Sequence, residues 1–212
     1  MKITSIVYGR TTLPESMIFD GGDATAHRPI ALRSYLIECE GRRILVDAGC
    51  DTMPGYVVTE HIGPREALRG AGLDPSDITD LIITHHHHDH TECARYFEGA
   101  NIYIQREEYP LTKQHLPTNA AVTLFDEELC VCDGVKIIRV GAHTAGSCIV
   151  SVICDGREYI ISGDECYHSD CLKYRIPTGS AVSRERAQAF VNEYSKDKYT
   201  VLVMHAEEID KG

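Results

Sequence analysis

The chain has 212 residues, 43% of them apolar and 25% charged, and a formal charge of −11 at neutral pH. These are the proportions of a soluble globular protein, and one domain over 1–212 absorbs the whole length. The acidic balance works against phosphate backbones, which are held by Lys and Arg, and no apolar run approaches the roughly 18 residues that would cross a bilayer.

Lys2–Tyr8 reads as a first strand, because it soon reaches Arg10 and polar residues instead of continuing as an apolar leader. Arg10–Pro29, with Gly21-Gly22 and few core residues, reads as a loop. Further strands are expected at Ser34–Cys39, Arg43–Asp47, Asp80–Thr84, Asn101–Gln105, Lys136–Val140, Cys148–Cys154, Tyr159–Ser162 and Thr200–Met204. Each is rich in Ile, Val or Tyr and bounded by Gly, Asp or Pro. Glu40-Gly41 and Asp155-Gly156 fall between apolar runs, as hairpin turns do. Helices are expected at Glu60–Ala71, closed by Gly72, at Glu92–Phe97, and at Arg184–Lys196 after Ser183 as N-cap. Leu111–Asp126 contains Pro117 and reads as a loop. The pattern predicts an α+β fold of two sheets with helices outside. The nine cysteines are odd in number and include no Cys-x-x-Cys pair. Free thiols in a reducing cytosol are expected rather than a disulfide framework.

Residues 84–90 read Thr-His-His-His-His-Asp-His, directly after the apolar run Leu81-Ile82-Ile83. A buried strand thus delivers a polar loop at its C-terminal end, where ligands commonly bind in α/β proteins. Imidazole and carboxylate together suit zinc, and also iron or manganese. A run of four histidines guarantees a His-x-His pair, so this loop alone also fits a solvated surface segment. Later strand ends add His143 in Gly-Ala-His-Thr-Ala-Gly-Ser, Asp164 after Tyr159–Gly163, and His205 after Thr200–Met204. Three strand-end donors in that order are hard to obtain by chance.

His-x-His-x-Asp-His followed by a histidine, an aspartate and a last histidine resembles the metallo-β-lactamase superfamily, from about Ser34 to His205. The resemblance implies an αβ/βα sandwich: two mixed sheets with outer helices. It also implies two divalent ions, zinc first, with iron, manganese or cobalt as alternatives. His85, His87 and His143 would hold one ion, Asp89, His90 and His205 the other, and Asp164 would bridge them. Two such ions can share a hydroxide that attacks a carbonyl, with Asp89 orienting it. Asp47, in the Asp47-Ala48-Gly49 turn, would either orient a ligand imidazole or simply cap its turn. The segment lacks the proline common before the third histidine, and Ala206 stands where an acid often follows the last.

Within the superfamily the chain is most similar to N-acyl-homoserine lactone lactonases. The similarity rests on Tyr167, three residues after Asp164, on Ile176-Pro177-Thr178-Gly179, and on Arg28–Tyr35. Tyr167 would hydrogen-bond the substrate; an aromatic lining the sheet rim is the plainer alternative. A thioesterase of the glyoxalase II kind would need basic residues near the C-terminus, where Glu207, Glu208 and Asp210 stand. A non-hydrolytic diiron protein usually has Glu at the position of His87. The expected partner is a small-molecule substrate, with neither nucleic acid nor membrane and with a homodimer left open, and the expected location is the cytoplasm.

Overall fold

The Ile-, Val- and Tyr-rich runs become strands. Among residues 1–207, which the computed structural model describes, these are β1 (Lys2–Pro14), β2 (His27–Cys39), β3 (Arg42–Val46), β4 (Asp80–Ile83), β5 (Asn101–Gln105), β6 (Ala121–Phe125), β7 (Glu128–Cys132), β8 (Val135–Arg139), β9 (Cys148–Cys154), β10 (Arg157–Ile161) and β11 (Tyr199–Leu202). One sheet has the order β1-β2-β3-β4-β5-β6, the other β11-β10-β9-β8-β7. Both are mixed and helices flank them, so the fold is α+β as the pattern predicted. No helix of the described residues is long and apolar enough to cross a membrane.

Two compact units carry these elements: Met1–Thr11 with Leu32–Asp126, and Thr12–Ala31 with the chain from Glu127 onward. In the first, β2 and β3 form an antiparallel hairpin with Cys39 opposite Arg42. Its turn is Glu40-Gly41, both at positive φ (47° and 79°), the type I′ geometry that suits a two-residue connection. β3, β4 and β5 then run parallel. All four residues of β4 are buried, which is why its last three, Leu81-Ile82-Ile83, read as a continuous apolar run. Asp80, at its start, is held by Arg42 Nε (2.9 Å), Thr79 Oγ1 (2.6 Å) and Tyr103 Oη (2.9 Å).

In the second unit, β9 and β10 form the other predicted hairpin, turning at Asp155-Gly156 (φ 50° and 76°). A core of Ile149, Ile160, Cys166, Cys171, Phe190, Val191, Val203 and Ala206 packs between this sheet and the helix Arg184–Tyr194. That helix starts where Ser183 Oγ accepts from the Arg186 N–H at 3.4 Å, as predicted.

Several boundaries differ from expectation. The helix expected from Glu60 begins at Pro64, because Glu60 and Gly63 both take positive φ and cannot join a right-handed helix. Glu92–Phe97 is a tighter 3-10 segment over Glu92–Tyr96. The loop expected over Arg10–Pro29 contains the end of β1, a short helix Glu15–Ile18 and the start of β2. Leu111–Asp126 contains β6, and β7 follows it. Both end their sheets, and mixed exposed and half-buried positions blur the alternation that would mark them. All nine cysteines carry free thiols. Glu208 and Asp210 lie outside the described residues.

Candidate metal centre

The first unit builds a donor set from the loop after β4. Asp47, just past β3, is fully buried at a left-handed φ of 63°. Its N–H donates to Ile82 O (2.8 Å), and its carboxylate accepts from Thr84 N (2.8 Å), Thr84 Oγ1 (2.8 Å) and His90 Nδ1 (2.7 Å). A carboxylate here only accepts, so the proton of His90 sits on Nδ1 and its Nε2 keeps a lone pair. The Thr84 hydroxyl has its one proton on Asp47, and therefore accepts from His85 Nδ1 (3.1 Å). His85 consequently also presents Nε2 as its lone-pair nitrogen, 3.0 Å from His87 Nδ1. Asp89 Oδ2 lies 3.6 Å from His90 Nε2. The loop backbone is fastened by the Tyr8 hydroxyl on Asp89 O (2.9 Å) and by Ala48 N on His90 O (2.8 Å). Asp47 thus orients an imidazole, its carboxylate bonding Thr84 and His90 rather than its own turn.

The second unit builds the other set. His205 Nδ1 donates to Ala31 O at 3.0 Å, and its other ring nitrogen, Nε2, lies 3.1 Å from Asp164 Oδ1. His143 Nδ1 meets Ser180 Oγ at 3.2 Å, and its Nε2 lies 3.5 Å from Asp164 Oδ2. Each oxygen of one buried carboxylate therefore faces a different imidazole. Imidazole with carboxylate is a zinc-type donor pair, and an ion between them would be held by both. The residues present fit a divalent ion. Tyr167 is 4% exposed, stacked on the His205 ring (5.1 Å, 22°) and edge-on to His143 (5.9 Å).

Three residues that sequence reasoning passed over brace the loops that carry these side chains. Glu165 is fully buried, and its Oε1 accepts from Ser147 Oγ (2.5 Å), Ala142 N (3.3 Å) and His143 N (3.4 Å), which ties the His143 turn to the Asp164 loop. Burial pushes its carboxyl up to about 7 against those hydrogen bonds. Ser180 follows the Ile-Pro-Thr-Gly segment, and Glu108 binds His86 Nδ1 (2.5 Å) and its N–H (2.8 Å). His86 therefore has a buried carboxylate partner. Glu165 was detectable only as an acid beside Asp164, and nothing near Glu108 in the chain marked it. Asp51, Glu92 and Cys93 also lie close together. Arg95 and the Tyr96 hydroxyl occupy those carboxylates as ordinary ion-pair and hydrogen-bond partners.

Strand-end loops that each gather histidine and aspartate on an α+β frame define the class of a metal-dependent hydrolase. Comparison with known families agrees: the metallo-beta-lactamase superfamily matches residues 31–206, and the chain belongs to it. The N-acyl homoserine lactonase AiiB of Agrobacterium fabrum is 22% identical, the match covering 84% of this chain and 80% of that protein. A hydroxyacylglutathione hydrolase of Actinobacillus pleuropneumoniae is 28% identical over a shorter stretch, 59% of this chain and 53% of the relative. Among solved structures, a quorum-quenching N-acyl homoserine lactone lactonase superposes with a TM-score of 0.84 at 22% identity, covering 99% of this chain and 94% of its own. At that identity the likeness speaks for the fold.

Proposed function

We propose that this protein is a dinuclear metallohydrolase that opens lactone rings, N-acyl-homoserine lactones being the leading substrate class. By the superfamily pattern, His85, His87 and His143 would hold one ion and Asp89, His90 and His205 the other, with Asp164 available to both. Zinc suits these donors, with iron, manganese and cobalt as alternatives. Two bound ions would supply Lewis-acid activation of water and of the substrate carbonyl.

The remaining work falls to side chains. Asp89 orients the attacking water and receives the proton it sheds. The Tyr167 hydroxyl donates a hydrogen bond to the oxygen on which charge develops, and its two imidazole neighbours hold the ring in place. This placement of Tyr167 is the observation that carries the lactone reading, and the lactonase relatives support it. The thioester reading is favoured by the hydroxyacylglutathione hydrolase match, though over a shorter stretch.

The test is a hydrolysis screen of metal-loaded protein against N-acyl-homoserine lactones, other lactones, thioesters and β-lactams. Tyr167→Phe should keep its metals and lose roughly ten- to a hundred-fold in lactone turnover, less than a lone oxyanion donor because a metal shares the role. Unchanged turnover would make Tyr167 a rim aromatic, and a wild type active only on thioesters would replace the substrate class.

A further inference from the structure

Ser180 occupies an unusual position between two functional side chains. Its Oγ lies 3.2 Å from His143 Nδ1, 3.3 Å from the Tyr167 hydroxyl and 3.1 Å from Thr178 Oγ1. The segment carrying it is anchored from both sides. Thr178 Oγ1 and Ser180 N both donate to Met17 O (3.1 Å each), and Asp20 N donates to Pro177 O (2.8 Å). At Gly179 a Cβ would come within 2.0 Å of Ser16 O, so only glycine lets this segment lie so close to the Glu15–Ile18 helix. Ser180 is thus held by backbone, independently of the groups its hydroxyl serves.

A serine hydroxyl has one proton and two lone pairs. Thr178 has given its proton to Met17 O, so toward Ser180 it can only accept. When His143 Nε2 binds an ion its proton sits on Nδ1, so Ser180 accepts from it and the Ser180 proton can go to Tyr167 Oη or to Thr178. In the first arrangement the donors run in one direction: His143 Nδ1–H to Ser180, then Ser180 O–H to Tyr167. The phenol accepts from Ser180, and its own proton is directed at a different acceptor. In the second the phenol's proton turns toward Ser180 and is withdrawn from substrate. Both arrangements hold His143 as a ring that would coordinate through Nε2.

We propose that Ser180 is a positioning residue that sets the direction of the Tyr167 hydroxyl and the tautomer of His143, coupling substrate polarisation to metal binding. The proposal rests on the reading of Tyr167 as the group that polarises the substrate. Its consequence is that Ser180 acts on turnover only through Tyr167, while it acts on the metal through His143 whether or not Tyr167 is present.

The experiment compares zinc-loaded wild type, Ser180→Ala, Tyr167→Phe and the double variant. Turnover is followed on N-hexanoyl-homoserine lactone and zinc retention by titration with a chromophoric chelator, with circular dichroism to check folding. Ser180→Ala should lower kcat about tenfold with little change in KM, and Ser180→Thr, which keeps the hydroxyl, should recover most of it. In the Tyr167→Phe background the same change should cost less than about twofold in kcat, the non-additivity of two residues acting as a unit. Zinc should be held about tenfold more weakly by Ser180→Ala in both backgrounds. Ser180→Cys, close in size and a poor hydrogen-bonding partner, takes the place of the alanine variant should that one misfold. Equal kcat losses in the two backgrounds, or none, would overturn the coupling. If wild type opens no lactone, the proposed reaction fails on its own terms. Zinc retention then decides the His143 arm, and an unchanged value for Ser180→Ala overturns it.

Discussion

Asp47→Asn should separate folding from metal binding. The carboxylate is fully buried and takes three hydrogen bonds, two of them, from the Thr84 hydroxyl and His90 Nδ1, on the same oxygen. Asparagine tolerates the left-handed φ of 63° and can keep its oxygen on Thr84 N. Its amide nitrogen would then face two donors. Each buried donor left without an acceptor costs about 1–3 kcal/mol, so unrelieved loss would be about 2–6 kcal/mol. Relief is available: the Thr84 hydroxyl rotates to accept, and His90 moves its proton from Nδ1 to Nε2. The metal-free fold should therefore lose only about 1–2 kcal/mol, or roughly 2–8 °C in Tm for a chain of this size. The same tautomer change places a proton on the nitrogen that would bind the ion. Affinity should then fall about ten- to a hundred-fold. Chelator competition on folded variant protein measures this directly. Wild-type zinc affinity in a stably folded Asp47→Asn variant would refute the argument, since the hydrogen bond could not then be setting the tautomer.

Two further outcomes follow from the structure. His86→Ala should cost about 1–3 kcal/mol of stability, because Glu108 loses its imidazole partner, whereas His88→Gln should be nearly neutral. Thermal melts of both would show it, and equal stability would mean the His86–Glu108 contact contributes nothing. Burial raises the Asp80 carboxyl, but hydrogen bonds from Arg42, Thr79 and Tyr103 outweigh it and leave the group below its ordinary value of 3.8. A depressed folded-state pKa gives stability that is present above about 3.8 and is lost as pH falls below it. Asp80→Asn should accordingly destabilise the protein at neutral pH, by about 3–5 kcal/mol if Arg42 is left unpaired, and flatten the acid limb of its unfolding curve. Denaturant melts between neutrality and pH 3 test this, and an unchanged acid limb would contradict it.

Much of the fold was legible because buried strands and tight hairpins leave local marks. Leu81-Ile82-Ile83 is apolar without interruption because β4 is covered on both faces. Gly41 and Asp155-Gly156 are residues that positive φ tolerates, whereas Glu40 takes it against its usual preference. The strands that were missed, β6 and β7, lie at sheet ends, where half the positions meet water and the pattern fades. The candidate ligands were legible for a related reason, since each follows an apolar strand and stands out as a polar residue where the strand ends. Which nitrogen of each ring faces its neighbours was not. That depends on a partner far along the chain: Asp47 for His90 across 43 residues, Ala31 for His205 across 174. No local pattern encodes such a pairing, because either nitrogen of an imidazole can carry the proton until a fixed acceptor chooses one. The amino-acid sequence by itself marked the candidate metal-binding residues; tertiary structure decided, through those distant acceptors, which ring nitrogen of His90 and of His205 is turned away from its backbone or carboxylate partner.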